Sequence, residues 1–300
     1  MAELDTVILT DPESTMTATF VPAAGMIGTS FSDGDAEFLG QRRGLDAYLT
    51  NAKTMGIPLL YPWANRLGAN TYDAGGATVT LTPGAGGVRT DEHGSPMHGV
   101  LAAYPGWLVT ARSANSLTAA VDFGGRPGLL AAFPFPHVLT QSVTLRSRML
   151  TIETTVRPTT GAPVPLCFGY HPYLTIPGVP RENWVLETPA MRHLPTDERG
   201  LPTGVGEDWP ARSGPLGTTT YDDGFDQVPD GARFTLSGGD HRITVTFDSG
   251  YPAAQLFAPP TDALVAIEPM AAPTDALRRG DYRVAAPGRP VTARFSITVT

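Results

Sequence analysis

Two short stretches of the sequence place an ionisable side chain inside an apolar run and follow it with proline. One is PLCFGYHPYLT at 165–175, which contains His171, and the other is LVAIEPM at 264–270, which contains Glu268. The residue before a proline is pushed out of helical geometry, so both side chains should lie on extended backbone at a strand end. An imidazole and a carboxylate held in this way could act as a general acid and a general base.

Each of these residues also has a purely structural interpretation. His171 could be a core histidine bonded to a neighbouring carbonyl, and Tyr170 and Tyr173 could pack in the core instead of stacking on a ligand. A buried carboxylate is costly to desolvate unless it is paired or its protonation is tuned for chemistry. The sequence therefore favours a functional role for Glu268 more strongly than for His171.

Two further segments carry polar side chains beside apolar ones. In IPLLYPWANRLGAN at 57–70, Asn65 and Arg66 follow an apolar run, and the arginine could form a structural ion pair or present a rigid fork of donors to a ligand. The segment DEHGSPMHG at 91–99 holds His93 and His98, but its glycine and proline predict a loop. Paired metal-binding histidines are typical of a helix that also carries a carboxylate, so no metal site is predicted here.

Several other classes of function lack the residues they require. The sequence has no GxSxG nucleophile elbow and no GxxxxGK phosphate loop, and its one cysteine, Cys167, cannot form an intrachain disulfide. The net charge of -8 argues against nucleic acid or an anionic membrane as the main partner. No signal peptide is recognisable, and no apolar run approaches the roughly 20 residues of a membrane helix. We expect a soluble cytoplasmic protein.

Alternation of apolar and polar residues recurs along the whole chain. It predicts half-buried strands at 15–21, 77–82, 116–123, 138–146, 149–157, 232–237, 241–248 and 291–299. Glycine-containing pairs separate many of these runs, as expected of antiparallel hairpins. The segment 273–279 could form one or two helical turns, and the segment 194–218, rich in proline and glycine, shows no strand pattern and is predicted to be a long surface excursion.

These elements predict an all-β fold, a large antiparallel two-sheet β-sandwich formed by one domain over residues 1–300. Two separate β domains are the alternative. Taken in order, the segments YPWANRLG, MHG, GYHPYL, YDDGF and IEPM resemble the aldose 1-epimerase (mutarotase) family over nearly the whole chain. The resemblance implies a galactose mutarotase-like β-supersandwich whose cleft binds a pyranose and interconverts its α and β anomers without metal or cofactor.

The resemblance also implies roles for individual residues. It makes Glu268 the base that takes the proton of the C1 hydroxyl and His171 the acid that protonates the ring oxygen. Arg66, in the NR motif with Asn65, would hold sugar oxygens, and His98, in the HG motif, would be a second donor near the ring oxygen.

The remaining implied sugar contacts are less sharply placed. Tyr173, in the HPY motif, is expected beside the sugar. The aspartate that binds sugar hydroxyls is best matched by Asp222, three residues before a phenylalanine, while Asp223 and Asp226 stay open. Val100 and Tyr170 stand where more familiar members of the family carry other residues, and both bear on the choice of substrate more than on the acid and base.

Other functions remain open from the sequence. A hexose 6-phosphate would need arginines at one end of the cleft, which Arg42 with Arg43, or Arg278 with Arg279, could supply. A carbohydrate-binding protein without turnover could use the same fold. A polysaccharide lyase is disfavoured, because the acidic balance suits a uronate groove poorly. The expected partner is a small-molecule sugar, and the protein is expected to be a monomer or a homodimer.

Overall fold

The structure, a computed structural model, describes residues 4–51 and 53–300. In chain order the strands are β1 (Val7–Thr10), β2 (Met16–Val21), β3 (Ile27–Asp33), β4 (Ala36–Glu37), β5 (Leu59–Leu60), β6 (Thr71–Ala74), β7 (Ala77–Thr80), β8 (Arg89–Thr90), β9 (Pro96–Met97), β10 (Leu108–Arg112), β11 (Ser116–Asp122), β12 (His137–Arg146), β13 (Met149–Pro158), β14 (Val164–Leu166), β15 (Gly169–Tyr170), β16 (Tyr173–Leu174), β17 (Val185–Thr188), β18 (Met191–Leu194), β19 (Glu207–Trp209), β20 (Arg212–Pro215), β21 (Tyr221–Asp226), β22 (Ala232–Gly238), β23 (His241–Ser249), β24 (Ala253–Ala258), β25 (Val265–Met270), β26 (Arg283–Ala285) and β27 (Val291–Val299). The α-helices are α1 (Gly44–Asn51), α2 (Pro127–Ala132) and α3 (Ala276–Arg279), and short 3₁₀ turns cover Pro22–Ala24 and Arg181–Asn183.

Two large antiparallel sheets contain most of these strands. One has nine strands in the order β10-β11-β12-β13-β27-β23-β22-β17-β20. The other has the order β19-β18-β21-β24-β25-β15-β5, with β16 also paired to β25. Strands β1 to β4 form a smaller sheet of their own. The predicted all-β fold, a large antiparallel sandwich, is confirmed.

The main hydrophobic core lies against one face of the eight-stranded sheet. Leu256 of β24 and Ile267 of β25 are paired residues on that face and are fully buried. The Tyr170 ring approaches the Phe295 ring of the nine-stranded sheet, with centroids 5.0 Å apart. Because side chains alternate along a strand, the residue that follows Ile267 must point away from this core. That residue is Glu268, and the opposite face of the sheet is where the candidate site is built.

The hairpin of β12 and β13 turns through Ser147 and Arg148, which are not favoured tight-turn residues. Both have positive φ, 51° and 62°, as a type I′ turn requires. The carboxylate of Asp11 accepts their backbone N–H groups at 3.0 and 2.7 Å. A buried side chain distant in sequence therefore stabilises a turn that the local sequence alone would disfavour.

The prediction that segment 194–218 lacks strands is wrong. Strand β19 pairs with β18 in one large sheet, and β20 pairs with β17 in the other. These are edge strands of three and four residues with mostly exposed side chains, so they show no apolar alternation. Helix α1 was not predicted from the sequence. Only Tyr48 of its eight residues is buried, and the segment is too short to show a convincing helical period of apolar residues. The predicted helical turn within 273–279 is confirmed as α3.

No helix within residues 4–51 and 53–300 is long and apolar enough to cross a membrane.

Candidate active site

His171 and Glu268 are in direct contact. His171 follows β15 immediately, as predicted for a strand end, and its backbone N–H donates to the carbonyl of Pro58 at 3.2 Å. Glu268 lies inside β25 and not at its end, because the strand continues through Pro269 to Met270. The distance from His171 Nε2 to Glu268 Oε1 is 3.2 Å, and the two residues are only 6% and 2% exposed.

The pair lines a cavity of about 130 Å³ on the face of the sheet opposite the main core. Every residue predicted to bind the sugar lines the same cavity, namely Asn65, Arg66, His98, Tyr173 and Asp222. The structure therefore brings all seven candidate residues to one place from five separate segments of the chain. Their chemical roles stay a prediction.

Two irregular segments, one around Asn65 and Arg66 and one around His98, form one wall of this cavity. Asn65 and His98 both have positive φ, 55° and 60°, and the carbonyl of Asn65 accepts the backbone N–H of His98 at 2.9 Å. Arg66 donates from Nε to Asp91 at 2.8 Å and from Nη1 to the Asn65 side chain at 3.2 Å. His93, the other histidine of this segment, contacts Glu92 and does not line the cavity.

Tyr173 makes several contacts beside His171 and Glu268. Its ring stacks on His171 with centroids 4.1 Å apart and an angle of 18°. Its hydroxyl lies 3.0 Å from His171 Nε2 and 2.6 Å from the hydroxyl of Thr54, and it accepts a hydrogen bond from Arg42 at 3.2 Å. Tyr173 thereby fixes the plane of the imidazole and shares Nε2 with the carboxylate of Glu268.

The three candidate aspartates of β21 have different surroundings. Asp222 lines the cavity and accepts a hydrogen bond from Gln255 at 2.8 Å. Asp223 points to the other face of the strand, where His193 Nε2 lies 3.0 Å from its carboxylate. Asp226 is held by a two-pronged ion pair with Arg192. Of the three, Asp222 alone lines this cavity.

Other residues of the cavity were not predicted from the sequence. Gln255 of β24 stands directly opposite Glu268 in the strand register and is buried. A polar residue inside the apolar run AAQLF is the same kind of signal that singled out Glu268, so Gln255 could have been found. Thr54, Met97 and Phe257 also line the cavity, and the sequence around them gives no such signal. Arg42 lines it too, and the sequence indicates this residue only as half of an arginine pair that could hold a phosphate.

Burial is the largest cause of the pKa shifts of Glu268 and His171. It raises the pKa of Glu268 well above the usual range; Asp222 adds to this effect, and Arg66 opposes it. Burial also lowers the pKa of His171 well below its usual value, with help from His98 and Arg42. A single proton on the pair therefore rests on the carboxyl of Glu268, while the imidazole of His171 is neutral. Burial, followed by the charges of Arg66 and Arg89, lowers the pKa of His98 to about 3.

Three buried polar atoms of the site have no hydrogen-bond partner within the part of the chain that the structure describes. They are Nδ1 of His98, Nδ1 of His171 and Oε2 of Glu268. Buried polar atoms are normally hydrogen-bonded, so unpartnered atoms on three residues that line the same cavity are typical of a functional site. Among the described residues, no cluster of three or more histidine, cysteine or acidic side chains could hold a metal ion.

A model of the aldose 1-epimerase family matches residues 6–298. The chain belongs to this family of carbohydrate epimerases, an isomerase class. No curated protein sequence matches the chain. The family resemblance seen in the sequence motifs is thereby confirmed.

Solved structures share the fold at low sequence identity. The Slr1438 protein from Synechocystis is 22% identical with a TM-score of 0.81, over 99% of this chain and 96% of that one. A putative aldose 1-epimerase from Escherichia coli is 20% identical with a TM-score of 0.76, over 99% of both chains. A galactose mutarotase-like protein from Clostridium acetobutylicum is 16% identical with a TM-score of 0.82, over 100% of this chain and 96% of that one.

Proposed function

We propose that this protein is an aldose 1-epimerase that interconverts the α and β anomers of a pyranose, with no metal or cofactor. The observation that carries the proposal is the buried contact of 3.2 Å between His171 and Glu268, inside a cavity lined by residues suited to binding sugar hydroxyls. We further propose that the protein acts in the cytoplasm on a small-molecule sugar, as a monomer or a homodimer.

The reaction requires that His171 and Glu268 together hold one exchangeable proton. When that proton has passed from Glu268 to His171, the carboxylate takes the C1 hydroxyl proton while the imidazolium protonates the ring oxygen, and the C1 to ring-oxygen bond breaks. The open-chain aldehyde rotates about the C1–C2 bond. Reclosure reverses the transfers: His171 takes the proton of the attacking hydroxyl, and Glu268 protonates the former aldehyde oxygen on the other face. The direct contact of the two groups lets the resting proton reach either one.

The other residues of the cavity would hold the sugar in place. Arg66, held by Asp91 and Asn65, supplies its Nη2 as a donor. The paired Asp222 and Gln255 supply an acceptor and a donor for neighbouring hydroxyls. The rings of Tyr173 and Phe257 give apolar surface for the sugar's C–H groups. A neutral His98 has one ring nitrogen that donates and one that accepts.

Polarimetry on freshly dissolved α-glucose and α-galactose tests the proposal. We expect the protein to accelerate relaxation to the anomeric equilibrium, and we expect Glu268→Gln to lower the rate about 10²- to 10⁴-fold. Relaxation no faster than in buffer on every aldose tried would refute it. Calorimetric binding of a sugar without acceleration would point instead to a carbohydrate-binding protein.

A second candidate substrate is a hexose 6-phosphate, favoured by a larger cavity next to the first. This cavity, of about 650 Å³, shares Arg42, Thr54, Met97 and His98 with the smaller one. Its other lining residues include three more cations, namely Arg43, Arg89 and Lys53, the only lysine in the chain.

Carboxylates also lie near these cations, since Arg42 forms an ion pair of 3.5 Å with Asp262 and Glu92 lines the larger cavity. Asp91 also lines the larger cavity, but it pairs with Arg66. Arg89, which is half-buried, has no carboxylate within 4.0 Å among residues 4–51 and 53–300. Arg278 and Arg279, the other doublet considered, do not line either cavity of the site. Four cations converging on one cavity suit a phosphate group.

Relaxation rates on glucose and on glucose 6-phosphate, measured at equal concentration, distinguish the two substrates. If the phosphate binds here, kcat/KM is higher for the phosphorylated sugar, and Arg43→Gln lowers it only for that sugar. Equal losses on both sugars would exclude a phosphate-binding role for Arg43.

A further inference from the structure

The guanidinium of Arg66 is covered on one side by a hairpin tip from the excursion between β18 and β19. This tip, residues 195–203, is closed by a bridge between Thr196 and Pro202. A Cβ atom built on Gly200 would lie 3.0 Å from Nη1 of Arg66, 3.2 Å from Cζ and 3.4 Å from Nε. Since all three atoms belong to the planar guanidinium, a methyl group at position 200 would press against that group at less than ordinary van der Waals distance.

The tip is anchored to both irregular segments of the cavity wall. Nη2 of Arg199 donates to the carbonyl of Gly68 at 2.9 Å and to the hydroxyl of Ser95 at 3.3 Å. Leu201 packs so close to Gly68 that a Cβ built there would lie 3.2 Å from Leu201 Cδ1. Gly68 follows Arg66 by two residues, and Ser95 precedes His98 by three. The tip therefore joins the segment that carries Asn65 and Arg66 to the segment that carries His98.

The tip also holds its own shape. The side chain of Asp197 accepts the backbone N–H groups of Arg199 and Leu201 at 2.9 and 3.0 Å, and its backbone N–H donates to the carbonyl of Leu201 at 2.9 Å. Gly200 has a φ of 71°, which an L-residue adopts only with strain. Because these hydrogen bonds hold the turn rigid, it can limit the movement of the Arg66 side chain that it covers.

Arg66 is thus constrained by contacts on several sides. Asp91 holds Nε, Asn65 holds Nη1, and Gly200 limits movement of the guanidinium toward the excursion. Its Nη2 has no hydrogen-bond partner in the described part of the chain, and Arg66 lines the cavity. A donor with no partner, on a guanidinium that cannot move away, is suited to a sugar oxygen.

We propose that Gly200 is a positioning residue for Arg66 and that the hairpin tip, anchored by Arg199, sets where Arg66 presents its remaining donor to the sugar. The consequence for the reaction rests on the proposed function, since it assumes that Arg66 contacts the substrate. The consequence for the orientation of Arg66 does not. A side chain at position 200 requires the guanidinium to move by a few tenths of an ångström, whereas the acid–base pair of His171 and Glu268 is expected to stay in place.

The test compares Gly200→Ala with Gly204→Ala. Gly204 lies just after the same hairpin tip and has a φ of 92°, but a Cβ there has no atom within 4 Å, so this control carries backbone strain without touching Arg66. We expect Gly200→Ala to raise KM about tenfold, as for loss of a hydrogen bond to a charged group, with kcat within about twofold. Gly204→Ala is expected to keep both constants.

A second readout does not need activity. The Nε–H resonance of Arg66, assigned by its loss in Arg66→Lys, should shift in Gly200→Ala and stay in place in Gly204→Ala. If the wild type epimerises no aldose, the proposed function fails and this resonance alone decides the positioning role. An unshifted resonance, or equal KM values for the two alanine variants, would overturn the proposal.

A third variant tests the proposal if Gly200→Ala does not fold. Arg199→Gln removes the anchor of the tip without a change at a positive-φ residue, and we expect a severalfold rise in KM together with a shifted Arg66 resonance. Arg233→Gln, an exposed arginine on β22 far from the tip in sequence, is the matched control and should leave both unchanged. An unchanged KM and an unshifted Arg66 resonance in Arg199→Gln would contradict the proposed role of the hairpin tip.

Discussion

The imidazole of His171 and the carboxyl group of Glu268, 97 positions apart in the chain, meet at 3.2 Å, and both residues are buried. Burial disfavours the charged form of both groups, and so it moves their pKa values in opposite directions. Such a pair can pass one proton between its members without a net change of charge. Anomer exchange, which returns every proton it removes, needs no more than this.

The first prediction concerns Tyr173→Phe. This change removes the hydroxyl that lies between His171, Thr54 and Arg42 but keeps the stacked ring. We expect the anomerisation rate to fall about tenfold, because the imidazole loses the hydrogen bond that fixes its orientation. Polarimetry measures the rate. Tyr221→Phe, on a half-buried tyrosine outside the cavity, is the control, and an equal effect of the two changes would contradict the role of Tyr173.

The second prediction separates neighbouring aspartates of β21. Asp222→Asn alters a carboxylate that lines the cavity, whereas Asp223→Asn alters one on the opposite face beside His193. We expect Asp222→Asn to raise KM about tenfold and Asp223→Asn to change it less than twofold. Steady-state kinetics on the preferred sugar gives both values. The reverse ranking would show that the sugar reaches the other face of the strand.

The sequence predicts the strands that show a clear local alternation of apolar and polar residues, and it misses exposed edge strands that show none. Long strands such as β12, β13 and β27 alternate clearly, and the sequence predicted them to within a residue or two. Residues 207–209 and 212–215 are exposed edge strands, so their pairing depends on neighbours that the local sequence does not encode. That one domain spans residues 1–300 stays a prediction.

The same limit applies to the site. His171 and Glu268 each stand out as an ionisable residue in an apolar run, and Gln255 gives a weaker signal of that kind. Arg42 and Thr54 reach the cavity only because the segment around α1 folds back over Tyr173. Gly200 lies in a segment with no periodicity at all. Its contact with Arg66 is tertiary, so no local pattern could have indicated it.

The third prediction concerns pH and the buried histidine His98. Burial chiefly lowers its pKa in the folded protein to about 3, whereas the imidazole of an unfolded chain keeps the ordinary pKa of 6.5. Between these values the unfolded state takes up a proton that the folded state does not. The free energy of unfolding should therefore fall as pH drops from about 6.5, by up to about 1.4 kcal/mol per pH unit for this group.

Urea unfolding between pH 6.5 and 4.5 measures this slope. In His98→Gln we expect a slope shallower by about one proton, because the variant has no imidazole to protonate on unfolding. Identical slopes in the wild type and the variant would mean that His98 is already charged in the folded protein.

The fourth prediction concerns Asp11, whose contribution to stability is also lost as the pH falls, but at a lower pH than that of His98. Burial raises the pKa of this carboxyl, but hydrogen bonds from Ser14, Arg148, Glu13 and Ser147 outweigh that effect and lower it to about 2, from 3.8. Because the folded pKa is depressed, this stabilisation is present above pH 4 and is lost as pH falls toward 2. Asp11→Asn should lower the free energy of unfolding at pH 7 by about 2 kcal/mol.

Denaturant unfolding at pH 7 tests this value. Asp35→Asn, on an exposed loop aspartate, is the control and should stay within about 0.5 kcal/mol of the wild type. A loss no larger in Asp11→Asn than in this control would show that the turn of β12 and β13 does not need the carboxylate.

The most direct test of the proton-transfer pair is a double-mutant cycle on the rate of anomer relaxation. We expect Glu268→Gln and His171→Asn each to lower kcat about 10²- to 10⁴-fold, and the double variant to be no slower than about the worse single one, because the two groups act as a unit. If either single variant kept more than half of the wild-type rate, or if the two losses simply multiplied, the shared-proton mechanism would be wrong.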